Sequence, residues 1–258
     1  MMHDILERRM KRISIFDIAY AGSVMEAILI SKILYVLGGF LLVMGWHTPA
    51  RAEFTINSAI IEFTANGPRQ QDIELTSRSQ TNDYIVSEIH EVIHPGLPDE
   101  SRRLIDDPAQ SGLLVTPDKT ILSAGGQKIL RFVLLHEPDA QEHIYRVAIK
   151  PVIKGVQDNN SLGVKILIGY EVLVIVRPAL PAPAYHAQRD GKTFTAVNHG
   201  NTDILFQNGQ QCSTPDNCKL SPMLRVYPGE SAQIELPLDK PVAYSIWDGA
   251  KTIEQRFD

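Results

Sequence analysis

Cysteine is nearly absent from this sequence, with two in 258 residues. Two thiols cannot by themselves make a four-ligand zinc site or the dense disulfide framework of a small secreted scaffold. A basic surplus is missing as well. Lys and Arg number 25 against 30 Asp and Glu, a net charge of −5, which argues against nucleic-acid binding, where a basic footprint is the norm. No run reaches the roughly 20 apolar residues that a membrane-spanning helix needs. The motifs G-x-S-x-G, H-E-x-x-H, G-x-G-x-x-G and the P-loop are all lacking. The eight histidines are scattered. His90 and His94 stand four apart on a strand-like stretch, and two ligands without a third make a poor metal site. Asp106, Asp107 and Asp158 read as solvated turn charges. These absences together point to a protein that is not an enzyme and holds no metal or cofactor.

What is present begins with a leader. Ile33 to Trp46 (ILYVLGGFLLVMGW) is uncharged, Lys32 and four earlier basic residues precede it, and Ala50-Arg51-Ala52 follows. A basic start, an apolar run and a small-x-small ending describe a secretory signal over residues 1–52. An uncleaved anchor is the alternative, and Met25 is an alternative start. Removing the leader takes six basic and four acidic residues and leaves 19 basic and 26 acidic, a net of −7. Outside the cytoplasm, Cys212 and Cys218 in CSTPDNC are expected to close a short disulfide loop. A free or metal-binding pair is the other reading.

The rest of the chain reads as strands: Phe54–Phe63, Asp83–Ile93, Leu113–Thr116, Ile129–Leu135, Ile144–Ile149, Val164–Val176, Thr193–Val197, Ile204–Phe206, Gln233–Leu236 and Ala243–Trp247. Short β-rich segments separated by turn residues predict an all-β protein of sandwich type. No amphipathic helix is expected after residue 53. At Arg177-Pro-Ala-Leu-Pro-Ala-Pro-Ala184 three prolines fall within six positions. Proline has no N–H to give a ladder, so this is a stiff boundary between domains 53–178 and 179–258. Residues 83–107, with Pro95 and Pro98, read as a long connection or lid, or as a disordered insertion.

The most informative segment is VKILIGYEVLVIV (164–176). Leu162, Val164, Ile166 and Ile168 share one face by the two-residue period of a strand. Past Gly169 the run is almost continuously apolar, as in a strand buried on both faces. It is either an ordinary central strand or one whose apolar row and free backbone complete the sheet of a partner.

Here the sequence resembles a known family. LLVTPDKTILSAGGQKILRFVLLHEPDAQEHIYRVAIKPV (113–152) is similar to the N-terminal domain of periplasmic pilus-assembly chaperones: a Thr-Pro turn, a polar glycine loop, a strand with Arg, then a Tyr-Arg strand followed by Pro. GVKILIGYEVLVIVRP resembles their donor strand, which ends in an Arg-Pro hinge. FTAVNHGNTDILFQ matches the opening of their second domain. CSTPDNC followed by LRVYPGES resembles the two-cysteine second domain of the alternate, common-pilus (alpha-type) branch.

The resemblance implies a non-catalytic periplasmic chaperone of two immunoglobulin-like β-sandwich domains set as an L. Its expected partners are fimbrial subunits, an outer-membrane usher and, when free, a second copy in a self-capping homodimer. The donor residues by position are Leu162, Val164, Ile166 and Ile168. Many such chaperones anchor the client's terminal carboxylate with an Arg on the first strand and a Lys on the donor strand. Those positions fall here near Ile60 or Ile61 and near Leu173, so both basic residues are missing. The expected replacement is Arg146 of the Tyr-Arg strand, helped by Lys165 or Lys150, since Arg suits bidentate contact with a carboxylate. The alternative for Arg146 is an internal ion pair with Glu171. Arg177 is expected to tie the hinge, and Arg131 to face solvent. A secreted immunoglobulin-like pilus subunit or adhesin is the competing function, expected to carry its own N-terminal extension and one incomplete domain.

Overall fold

The structure is a computed structural model that describes residues 53–152, 167–214 and 216–258. The leader, Met25, Leu162, Val164, Lys165 and Ile166 lie outside the described residues. Two β-sandwiches follow one another along the chain, each with its own core.

In the first sandwich, one sheet has the order β1 (Phe54–Ile56), β3 (Gln70–Ser77), β8 (Gln127–Leu134), β6 (Leu113–Thr116). The other runs β2 (Ile60–Phe63), β10 (Tyr170–Val176), β9 (His143–Val152), β4 (Asp83–Ile93), β5 (Ser101–Leu104), and β7 (Lys119–Leu122) also pairs with β4. Alternate residues of both sheets, among them Phe54, Phe63, Leu75, Phe132, Val147 and Val174, are buried between them. The two-residue period produces this: every second side chain faces inward, and burying each large aliphatic or aromatic group contributes ~1.5–3 kcal/mol.

The second sandwich packs the sheet β11 (Tyr185–Asp190), β12 (Thr193–Asn198), β16 (Ser231–Glu235) against β14 (Asn217–Leu220), β13 (Ile204–Thr214), β17 (Val242–Trp247), β18 (Thr252–Phe257), with β15 (Leu224–Val226) also on β13. Phe194, Phe206, Tyr244 and Phe257 stack edge-on or tilted in its core, centroids 5.0 to 6.3 Å apart. Cys212 and Cys218 are bonded and face each other in register on β13 and β14.

Three expectations need correction. Phe54–Phe63 is not one strand: β1 pairs antiparallel with β3, whereas β2 pairs parallel with β10 in the opposite sheet. Asn57 and Ser58 make the crossing, with Asn57 Oδ1 accepting from Glu74 N–H (2.9 Å) and Ser58 Oγ donating to the Ile60 carbonyl (2.8 Å). Residues 83–107 are not a loop. β4 and β5 form a hairpin, with His90 opposite Leu104 and Val92 opposite Arg102. Asp107 is a cap rather than a free turn charge: it accepts from Ala109 N–H (3.0 Å) and opens a one-turn helix, α1 (Pro108–Ser111). Gly112 closes that turn at φ 76°, a conformation that favours glycine.

Candidate functional site

β10 is paired unequally on its two sides. β9 follows it from Tyr170 to Val176. β2 meets it only from Leu173 to Val176, and the Leu173 N–H donates to the Ala59 carbonyl at 2.9 Å. Before Leu173 the first strand has crossed to the other sheet, so the β10 edge at Tyr170–Val172 has no strand beside it among the described residues. Ile168, just upstream, is 42% exposed. Gly169 holds this entry close to β9, since a Cβ there would stand 2.8 Å from the Ile149 carbonyl oxygen.

An unpaired edge offers a row of backbone donors and acceptors to another chain. Here the opening has a definite end. An added strand can run along β10 only as far as Leu173, because β2 occupies the edge beyond.

The same place is marked on the outer face of the sheet. The register aligns Ile60, Leu173, Arg146, His90 and Leu104 across β2, β10, β9, β4 and β5. Ile60 and Leu104 are exposed, Leu173 is buried, and Arg146 and His90 are half-buried. Leu173 joins Val92, Ile144 and Ile175 in a small apolar cluster against Tyr227 of the second sandwich. Burial pushes the Tyr227 hydroxyl above its ordinary value, while the charges of Arg225 and Arg146 pull the other way.

Glu171, the carboxylate considered for Arg146, pairs instead with Arg102 of β5 (2.6 Å). Among the described residues no ion pair of Arg146 is seen. Lys150 bonds Glu88 at 2.7 Å, four residues along β9 from Arg146. Arg131 is on the other sheet and pairs with Asp72 at 2.9 and 3.0 Å, which holds the Asp72 carboxyl below its ordinary value. His94 sits at the hairpin turn and contacts Asp99 (2.7 Å).

Arg177, immediately after β10, is completely buried. It donates to Glu142 (2.9 Å) and Thr202 (2.7 Å) and also pairs with Glu62 and Asp203. Asp203 is paired in addition with Arg225. These partners come from both sandwiches, so the hinge role read from Arg-Pro is what the structure displays. The partners themselves were not legible. Glu142 and Asp203 are 61 residues apart, yet Glu142 accepts from the Asp203 N–H at 3.0 Å.

No protein-family profile matches the chain. A CFA/I fimbrial protein of Escherichia coli is 31% identical over 173 residues, covering 62% of this chain and 71% of that protein. Among solved structures, the class 5 fimbriae chaperone CfaA superposes with a TM-score of 0.54 at 23% identity, over 80% of this chain and 99% of that one. The Salmonella enterica SafA pilin in complex with the SafB chaperone gives 0.55 at 15% identity, over 81% and 97%.

This chain belongs to the fimbrial-assembly chaperone family. In this chaperone the two positions where the family resemblance expects a basic pair are cross-strand neighbours, Ile60 and Leu173, and both are apolar. Arg146 is the cation in register with them. Sequence reasoning singled out Arg146 but missed Arg102 and His90, because their place on this face depends on how the β4–β5 hairpin pairs, and strand register across distant segments leaves no local signal.

Proposed function

We propose that this chaperone holds an unfinished fimbrial subunit in the periplasm by lending it the open edge of β10. The carrying observation is that the edge stops at Leu173, in line with Arg146. A guest strand whose carboxyl end meets the start of β2 runs parallel to β10, as β2 itself does, and brings its terminal carboxylate to the Arg146 row. The opposite direction would bring a terminal ammonium to an arginine, which like-charge repulsion disfavours. Arg146 anchors the carboxylate, and Ile168 with Leu162, Val164 and Ile166 upstream fills the client's groove. Each large aliphatic side chain so buried contributes ~1.5–3 kcal/mol, enough in a row of four to hold a chain that cannot fold alone.

Release is an exchange at an outer-membrane usher, where another client's extension replaces the donor strand. It needs neither nucleotide nor catalysis, since the client's withheld folding free energy drives it. In the free protein, a second copy could cap the same edge as a homodimer. The residue 1–52 leader delivers the protein to this compartment. The competing reading, a pilus subunit or adhesin, expects one incomplete domain; two sandwiches with separate cores favour the chaperone.

The test is periplasmic co-expression with a candidate fimbrial subunit. The expected result is a soluble one-to-one complex, with the client degraded when the chaperone is omitted. Equal client yield with and without the chaperone would count against the proposal.

A further inference from the structure

Arg102 and Glu171 meet across two intervening strands. Arg102 lies on β5 opposite Val92, whose row continues to Ile144 and Ile175. Glu171 lies on β10, in the row of Ala148 and Glu88. The row between them is that of Leu173, Arg146 and His90. The ion pair therefore crosses β4 and β9 diagonally, over the residues that mark the end of the open edge. Its contacts are fork-like, Nη1 to Oε1 at 2.6 Å and Nη2 to Oε2 at 3.4 Å, and both side chains remain partly exposed, 47% and 38%. The neighbouring Arg103 points the other way, to Glu91, as strand alternation requires. Arg102 alone of the two is aimed at this face.

We infer that Arg102 is a second cation for a guest strand's terminal carboxylate, and that Glu171 occupies it while the edge is empty. The inference rests on the client-binding reading above. Glu171 precedes Leu173 by two residues on the same face, so a guest carboxylate arriving opposite Leu173 comes close to a carboxylate already there. Two carboxylates at one site repel unless cations stand between them. Arg102 can bond the newcomer by the same bidentate geometry with which it bonds Glu171. Arg146 holds the guest from one side and Arg102 from the other. Glu171 is a built-in competitor: it keeps the arginine fork ordered in the free protein and lowers the affinity for anything that must displace it. A carboxylate-terminated strand would thus be held firmly enough to survive and loosely enough to be handed on.

The test uses a labelled eight-residue peptide of alternating valine and threonine, prepared with a free carboxyl terminus and as the amide, and binding is followed by fluorescence anisotropy. Wild type is expected to prefer the acid by about tenfold or more, the scale of one charge-assisted contact. Arg102→Gln should remove most of that preference and leave amide binding unchanged. Glu171→Gln should tighten acid binding several-fold and leave the amide unchanged, a gain that misfolding cannot produce. The assignment is overturned if Arg102→Gln keeps the wild-type ratio. It is equally overturned if Glu171→Gln weakens the acid as Arg102→Gln does, which would make the pair a brace. Failure of both peptides to bind wild type overturns it as well. Loss of the co-purified client complex is a separate result and would overturn the function itself.

Discussion

Glu171 is bonded to Arg102 at 2.6 Å and not to Arg146, although Arg146 is its nearer neighbour in sequence and stands on the adjoining strand. The internal pair that would have explained Arg146 as a structural residue is therefore made by another arginine. Arg146 is left in line with Leu173, where the open edge of β10 ends.

Arg146→Ala is accordingly expected to abolish co-purification of a client while shifting the unfolding midpoint little. Arg146 is half-buried and its row is already packed by Leu173, so the change in stability should stay within about 1 kcal/mol. Urea melts beside pull-down yields check this. A variant that retains its client would reject Arg146 as the anchor.

Arg177 should behave oppositely. It is completely buried against Glu62, Glu142 and Asp203. Arg177→Met leaves buried carboxylates without their cation, and breaking such a cluster from one side costs about 3–5 kcal/mol. The expected outcome in chemical denaturation is a large loss of stability, with the two sandwiches melting separately. An unchanged midpoint would contradict the network.

Glu142 predicts a pH dependence. Burial in the first place, and the nearby Asp203 charge in the second, push its carboxyl up to about 7, against the opposing pull of Arg177. Its Oε2 accepts from Arg177, Thr202 and the Asp203 N–H, while Oε1 is buried without a partner. A carboxyl whose folded value lies above its unfolded one binds more protons when folded. Its contribution to stability is then complete below the unfolded value and is lost as pH rises through about 7. Glu142→Gln should flatten the stability profile between about pH 4.5 and 7. Urea midpoints collected across that range decide it, and an unaltered slope counts against the assignment.

Reduction of Cys212–Cys218 should have a modest effect. The bridge closes a short loop, with a sequence separation of six, on an exposed edge hairpin. Chain-entropy arguments limit such a loop to roughly 2–3 kcal/mol. Cys212→Ser with Cys218→Ser should therefore lower the unfolding free energy by no more than that and leave client binding intact, because β10 belongs to the other sandwich. A reduced protein that no longer holds its client would show that the hairpin takes part.

Much of this protein was legible in its sequence, and some of it was not, for identifiable reasons. Strands with several inward apolar residues, such as His143–Val152 and Tyr170–Val176, were visible because their pattern is local. Strands such as Gln70–Ser77, Tyr185–Asp190 and Thr252–Phe257 were hidden, since few apolar side chains on one face raise little periodic signal among charges. The Arg-Pro hinge, the cysteine pair and the Tyr-Arg strand each sit within a few residues and could be read directly. What only the tertiary structure decided is which residues become neighbours across strands. The crossing of the first strand between sheets opens the β10 edge and ends it at Leu173. The pairing of β5 on β4 carries Arg102 to Glu171, 69 residues away. Strand register is a long-range property, set by the packing of whole sheets on a shared core. No window of the sequence contains it.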